Sequence, residues 1–289
     1  MATAVRDQGI YTAAAPLLVG DPASLLGTIQ QKTHGAILTG FDFPLGLPKA
    51  YAEQLHIESF PSFLRQLGQG TWPDFAKVCR DSSEISLTRP FYPYNFTPKG
   101  SRKRAHLVEA LNLETFDQLL RACERAQPDV AAAGALFWTL GAQAPGRAAL
   151  HGWTEVIVPA LAHASVKLWP FDGPLSELLQ ADSLILAETY PTQYHGSVLG
   201  ARFAGKTSPD KRRLLAAQIF AWSKSSEVQL NAELVQTIEN GFPQGDDAFD
   251  AVLGLLGMIH VLLHPQELHE PTNPTIRNIE GWIFGQPAR

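Results

Sequence analysis

Two short apolar runs that each end on an acid constrain this chain more than any other feature: Ala36-Ile-Leu-Thr-Gly-Phe-Asp42 and Ser183-Leu-Ile-Leu-Ala-Glu188. A run of that length that is apolar almost throughout, rather than alternating, is what a central strand covered on both faces requires. Turn-forming residues follow each one, Phe43-Pro44-Leu45-Gly46 after the first and Thr189-Tyr190-Pro191 after the second. As adjacent strands they would deliver Asp42 and Glu188 to one carboxyl edge of a sheet, where open α/β sheets bind ligands.

The rest of the chain supplies material to cover such a sheet. Residues 2–19 predict two short strands around the polar break Arg6-Asp7-Gln8-Gly9. Asp21-Pro22 predicts a helix to about residue 32, with Asp as N-cap and Pro at the first helical position. Residues 48–165 read as mainly helical between Pro- and Gly-rich joints, with the clearest helical period over 116–126 and 148–162. Three further helices are predicted after the second apolar run, over 209–224 with Ser208 as N-cap, 227–239 and 247–264. Strands interleaved with helices predict a single three-layer α/β domain over residues 1–289, carrying a helical insertion at about 48–165.

Composition removes several classes of function. A hydrophobic content of 45% suits a sizeable core, and a net charge of −5 argues against wholesale coating of a nucleic acid while leaving room for a local basic groove. Two cysteines, Cys79 and Cys123, make neither a disulfide framework nor a CxxC metal knuckle, so a reducing, cytoplasmic setting is expected. The N-terminus lacks the basic segment and apolar run of a signal peptide. The longest apolar stretch, 251–263, is shorter than the roughly 20 residues a bilayer span needs, and reads as a buried helix.

That helix begins Gly245-Asp-Asp-Ala-Phe-Asp250-Ala. Asp247 and Asp250, three apart, share a helical face, and Asp246 suits a capping role. An acid one turn into an otherwise apolar helix needs a partner, because an unpaired buried charge is costly. Asp42, Glu188, Asp247 and Asp250 together would hold one or two Mg²⁺ or Mn²⁺ ions, about 4 Å apart in a two-metal site. Such a centre activates water for phosphodiester hydrolysis.

Phe41-Asp-Phe-Pro-Leu-Gly-Leu-Pro48, Glu188-Thr-Tyr-Pro191, Asp246-Asp-Ala-Phe-Asp-Ala251 and Glu280-Gly-Trp-Ile283 occur in the order seen in the "predicted nuclease, RNase H fold" family, domain of unknown function 429, which the chain resembles from about residue 36 to 285. Asp247-x-x-Asp250-Ala is also similar to the last-helix motif of RuvC-type Holliday-junction resolvases, in which both aspartates bind metal. The resemblance implies an RNase H-like three-layer mixed sheet flanked by helices. Asp42 then corresponds to the acid on the strand after the first helix, and Glu188 to an acid on the next strand. The fold normally opens with a strand bearing the first catalytic aspartate. Here the chain begins at what looks like the second strand, and Asp7 falls in a turn. Two readings follow, a Mg²⁺/Mn²⁺-dependent nuclease or phosphodiesterase and a degenerate, non-catalytic binding protein of the same fold.

Other motifs are weighed beside these. Lys99, Arg102, Lys103 and Arg104 follow the aromatic stretch 91–96, and cations beside aromatics suit a nucleic-acid strand; Arg202, Lys206 and residues 211–213 would extend the basic rim. Gly200-Ala-Arg-Phe-Ala-Gly-Lys-Thr207 matches GxxxxGK[ST], which gives a weaker, nucleotide-binding reading, because no strand leads directly into it. His260-Val-Leu-Leu-His264 has the i, i+4 spacing of a zinc pair without the HExxH glutamate, so satisfied or surface-facing histidines are expected. His195 is the candidate proton carrier near Tyr190-Pro191, and Trp282 is expected in the core.

Overall fold

Gln8 and Gly9 both adopt positive φ (46° and 88°), the conformation that closes a two-residue hairpin whose twist matches its strands. They join β1 (Thr3–Asp7) to β2 (Ile10–Ala14), with Asp7 opposite Ile10, so Asp7 ends a strand rather than sitting in the turn. These details come from a computed structural model that describes residues 1–32, 35–126, 134–141, 145–180 and 182–287. Parts of the predicted insertion, 127–133 and 142–144, lie outside the described residues.

Next along the chain come α1 (Pro22–Lys32), β3 (Ile37–Phe41), α2 (Lys49–Gln54), α3 (Phe60–Leu64), α4 (Ala105–Ala110), α5 (Pro145–Gly152) and α6 (Val158–Ala160). They are followed by β4 (Val166–Leu168), α7 (Leu175–Leu178) and β5 (Leu184–Glu188). The remainder comprises α8 (His195–Leu199), α9 (Pro209–Arg213), α10 (Ala216–Ser225), β6 (Gln229–Leu230), α11 (Ala232–Glu239) and α12 (Asp246–Leu263). The protein is mixed α/β, and among the described residues no helix is long and apolar enough to cross a membrane. The chain divides into two compact units, each assembled from separate segments: Met1–Gly20, Thr189–His269 and Phe284–Arg289 form the first, Asp21–Glu188 and Glu270–Ile283 the second. Among the described residues the strands form two three-stranded sheets. The hairpin that supplies two strands of one sheet is exposed at most of its positions.

The second unit is built on a parallel sheet in the order β3-β5-β4. All five residues of β5 are buried, as expected of a run apolar on both faces. Phe41 pairs with Glu188, so the predicted strands are neighbours and their acids lie at one edge. An aromatic core fills the helical side, with Phe63–Phe75, Phe75–Phe91 and Phe91–Phe137 meeting edge to face at 4.9, 5.5 and 5.1 Å. The helix predicted over 148–162 forms as far as Ala160, α5 running through one π-turn (Trp153–Ile157) into α6. Residues 116–126 are not a helix. Two 3₁₀ turns, Phe116–Leu119 and Ala122–Glu124, flank an extended Leu120-Arg121, and that extension places the Arg121 guanidinium among acceptors in the core.

In the first unit β6 adds in parallel to β2, with Thr12 opposite Gln229. The predicted helix over 227–239 therefore starts late, at Ala232, where the Asn231 side chain accepts the Leu234 amide as an N-cap. The predicted helix over 209–224 is broken into α9 and α10 at Leu214-Leu215. Helix α12 is the spine, burying Phe249, Val252, Leu253, Leu256 and Ile259, and the 189–194 segment lies against its Gly254 and Gly257.

Candidate functional site

Helix α12 opens on Gly245, whose φ of 116° no side chain favours and which offers no side-chain cap. Asp246 and Asp247 occupy the first turn, where the helix dipole stabilises negative charge. Asp247 is exposed; Asp250, a turn further in, is mostly buried with its side chain 14% accessible. Phe249 holds this turn in place, packed edge to face on Phe242 at 5.2 Å and on Phe203 at 5.8 Å.

The two oxygens of Asp250 differ. Oδ2 accepts from the Lys206 ammonium, whereas Oδ1 is buried and has no hydrogen-bond partner. Burial pushes the Asp250 carboxyl above its ordinary range, against the opposing pull of Lys206. Lys206 is brought there by Arg212, a buried arginine on α9. Its guanidinium donates to the Lys206 carbonyl, to Gly241 O at 2.9 Å and to Phe242 O at 3.0 Å, pinning the 203–207 loop to the joint between α11 and α12.

His195 opens α8, 3% exposed. Its Nδ1 accepts the Phe203 amide at 3.3 Å, which assigns the ring proton to Nε2. Nε2 is itself buried without a partner, leaving an N–H donor unused. Burial first, then the positive charges of Lys206 and Arg202, pushes the His195 imidazole down to about 4. The ring is neutral at neutral pH. Between about 4 and the ordinary imidazole range the unfolded chain binds the proton and the folded chain does not, so His195 stabilises the fold above that range and the stability falls as pH drops through it. We expect a loss of about 1–2 kcal/mol on going from pH 7.5 to 5, beyond that of His195→Asn, which keeps an acceptor for Phe203 but does not titrate. Urea midpoints of the two proteins across that range measure it; parallel curves would show that His195 protonates freely.

In the second unit Asp42 is exposed immediately beyond β3. Glu188, expected as a metal ligand, is engaged otherwise. Both of its oxygens accept from Arg121, at 2.7 and 2.8 Å, and Oε2 also takes the Leu45 amide at 2.7 Å. Arg121 is fully buried and donates in addition to Glu124 Oε1 at 2.9 Å and the Glu280 carbonyl at 3.0 Å. Gly46 makes this possible: at φ 148° a Cβ there would meet the Glu280 carbonyl oxygen at 1.9 Å and the guanidinium at 3.1 Å. A carboxylate filled by a bidentate arginine and a backbone amide has a structural role. The signal for it was a lone arginine inside Leu119-Leu120-Arg121-Ala122-Cys123, a charge in an apolar run.

The basic run divides. Arg102 donates to the carbonyls of Thr97 and Asn95, tying the aromatic loop, and Arg104 stacks over Phe116 at 4.7 Å and Trp138 at 5.8 Å. Lys99 and Lys103 are exposed, as is Arg202 in the first unit. Residues 200–207 follow α8, Gly200 being its left-handed C-cap, and α9 starts only at Pro209. The loop thus does not lead from a strand into a helix N-terminus, the arrangement that cradles phosphate. Trp282 is buried as expected. Comparison of the chain with family models, with curated proteins and with solved structures finds no match.

Proposed function

We propose that the protein is a Mg²⁺- or Mn²⁺-dependent phosphodiesterase of RNase H-like kind, with its acidic centre at the start of α12. The observation that carries this reading is the buried, partnerless Oδ1 of Asp250; the 203–207 loop that brings Lys206 to Asp250 also donates its Phe203 amide to His195, whose Nε2–H is unused. An orphaned carboxylate oxygen fits a cation and an orphaned N–H fits an anion, the two demands of a metal-bound phosphodiester. Asp250 and Asp247 would hold the ion. When bound, it supplies Lewis-acid polarisation of a phosphoryl oxygen and a low-pKa water. The protein's own groups do the rest. Lys206 balances the Asp250 charge and offers positive potential to the phosphate, the His195 Nε2–H donates to a phosphoryl oxygen, and exposed Arg202 attracts the polyanion.

Asp250→Asn keeps the side-chain volume and removes the charge. We expect Mn²⁺ affinity to fall at least about tenfold and hydrolysis of single-stranded, duplex or branched DNA or RNA to fall by about 10² or more, with Asp247→Asn intermediate. Equal Mn²⁺ binding and hydrolysis by wild type and Asp250→Asn would overturn the assignment. A second reading, a non-catalytic nucleic-acid binder, is favoured by the fact that the chain's own cations already sit on Asp250 and Glu188. Salt-sensitive retention of nucleic acid, unchanged by Mn²⁺ and without cleavage, selects it.

A further inference from the structure

At the other end of α12, about 15 Å of helix from Asp250, the two histidines set aside as satisfied or surface-facing acquire a third partner. Glu267, on the 3₁₀ turn Pro265–Glu267 that follows the helix, comes within 3.1 Å of His260 Nε2. One ligand atom from each of His260, His264 and Glu267 lies within 4.8 Å of the others, and the two rings are 4.3 Å apart. We propose that these three residues form a binding site for a zinc-class cation, independent of the acidic centre.

The chemistry of each ligand fits. His264 Nδ1 faces the His260 carbonyl at 2.8 Å; a carbonyl only accepts, so Nδ1 carries the proton and Nε2 presents a lone pair. A backbone carbonyl behind the far ring nitrogen is the support that fixes a metal-binding imidazole. His264 also caps the C-terminus of α12, where the helix dipole favours positive charge. Glu267 adds a hard anionic oxygen and is partly open to solvent, giving the ion an entry path. Two imidazoles and a carboxylate make three protein ligands. The fourth position would face a cleft of about 400 Å³ bordered by Ser197, Trp222, Ser226 and Glu227. No glutamate stands between the histidines as in HExxH, so the site is assigned cation binding and not peptide hydrolysis.

One further residue makes the site distinctive. The His260 Nδ1 accepts from the Trp222 indole N–H at 3.4 Å, and its Nε2–H donates to Glu267. For Nε2 to ligate, it releases its proton to water while Nδ1 takes one up, so the ring stays neutral and the Trp222 bond breaks. Cation binding and the Trp222 contact are therefore exclusive.

The test uses the full chain, with Zn²⁺ in competition with a chromophoric chelator and Co²⁺ followed by its visible absorption. With excess Mg²⁺ present to occupy the acidic centre, we expect one equivalent of Zn²⁺, a Co²⁺ spectrum of low coordination number, and affinity reduced roughly 10- to 100-fold in His264→Gln and in Glu267→Gln. Glu267 lies on a surface turn, so its variant carries the test should the histidine change disturb folding. Asp250→Asn should bind Zn²⁺ as wild type does, which separates this site from the acidic centre. Trp222→Phe should bind at least as tightly as wild type, and weaker binding there would overturn the proton exchange at His260. Failure to bind one equivalent, or equal affinities in wild type, His264→Gln and Glu267→Gln, overturns the site.

Discussion

Replacing Arg121 with methionine should cost about 3–5 kcal/mol of stability, the penalty for stranding a buried charge. The change removes two guanidinium contacts to Glu188, two to Glu124 and one to the Glu280 carbonyl, all inside the second unit and all buried. Glu124 is then left in a setting whose burial already pushes its carboxyl up, without the arginine that opposes the shift. Methionine keeps most of the arginine stem's volume, so the loss reads the charge and not a cavity. Urea denaturation of Arg121→Met and of Arg121→Met/Glu188→Gln measures it, and the double variant should recover part of the loss because one stranded carboxylate has gone. A single-variant cost under 1 kcal/mol would show that water reaches the guanidinium. Glu188→Gln should leave Mn²⁺ affinity unchanged, since Glu188 serves Arg121.

Gly257→Ala carries the second large effect, and its sign is the reverse of what helix propensity suggests. Alanine is favoured over glycine in a helix interior by about 1 kcal/mol. At position 257, however, a Cβ would stand 2.0 Å from the ring of Tyr194. The ring is not free to retreat. Its hydroxyl donates to the Phe284 carbonyl at 2.6 Å and accepts from Thr189 at 3.1 Å, so moving it breaks both bonds. Overpacking of this kind costs about 1–3 kcal/mol, to which the lost bonds add about 1 each. The same helix contains its control. At Gly254 the nearest atom to a Cβ is Pro191 Cγ at 3.7 Å, an ordinary contact, so Gly254→Ala should be neutral or stabilising. Thermal melts of both variants decide the matter; a stable Gly257→Ala would mean that Tyr194 does not rest on α12.

What could be read from the chain alone follows the range of the interactions responsible. The hairpin, α1, β3, β5 and α12 were legible because local patterns determine them: a polar turn, Asp-Pro, two apolar runs, and an apolar helix with acids at its start. The strand β4 was not, since Val166-Lys-Leu168 offers three residues with no period, and pairing with β5 alone makes it a strand. Residues 116–126 misled for a related reason. Their apolar spacing suits a helix, but Arg121 is held by partners 67 and 159 positions away, and local propensity yields to those bonds. The start of α11 gave way likewise to the pairing of Gln229-Leu230 with β2. At the acidic centre the residue types were legible and the partners were not. Asp250 in an apolar helix implies a partner, and no sequence period names Lys206 in that place or Arg121 as the neutraliser of Glu188.

The pairing of β2 with β6 also governs the order in which this protein can mature. Thr12 and Gln229 are separated by roughly two hundred residues, so the hairpin leaves the ribosome long before the strand it will lie beside. Both units close later still, because the Leu47 amide bonds Ile279 and Arg121 bonds the Glu280 carbonyl in the second, and the Tyr194 hydroxyl bonds the Phe284 carbonyl in the first. Each unit thus depends on segments from both ends of its span, and neither can be completed while the chain is still short. The nascent protein spends about half of its synthesis with the Ile37–Phe41 strand lacking its neighbour, a period in which its apolar face is open to chaperones or to aggregation.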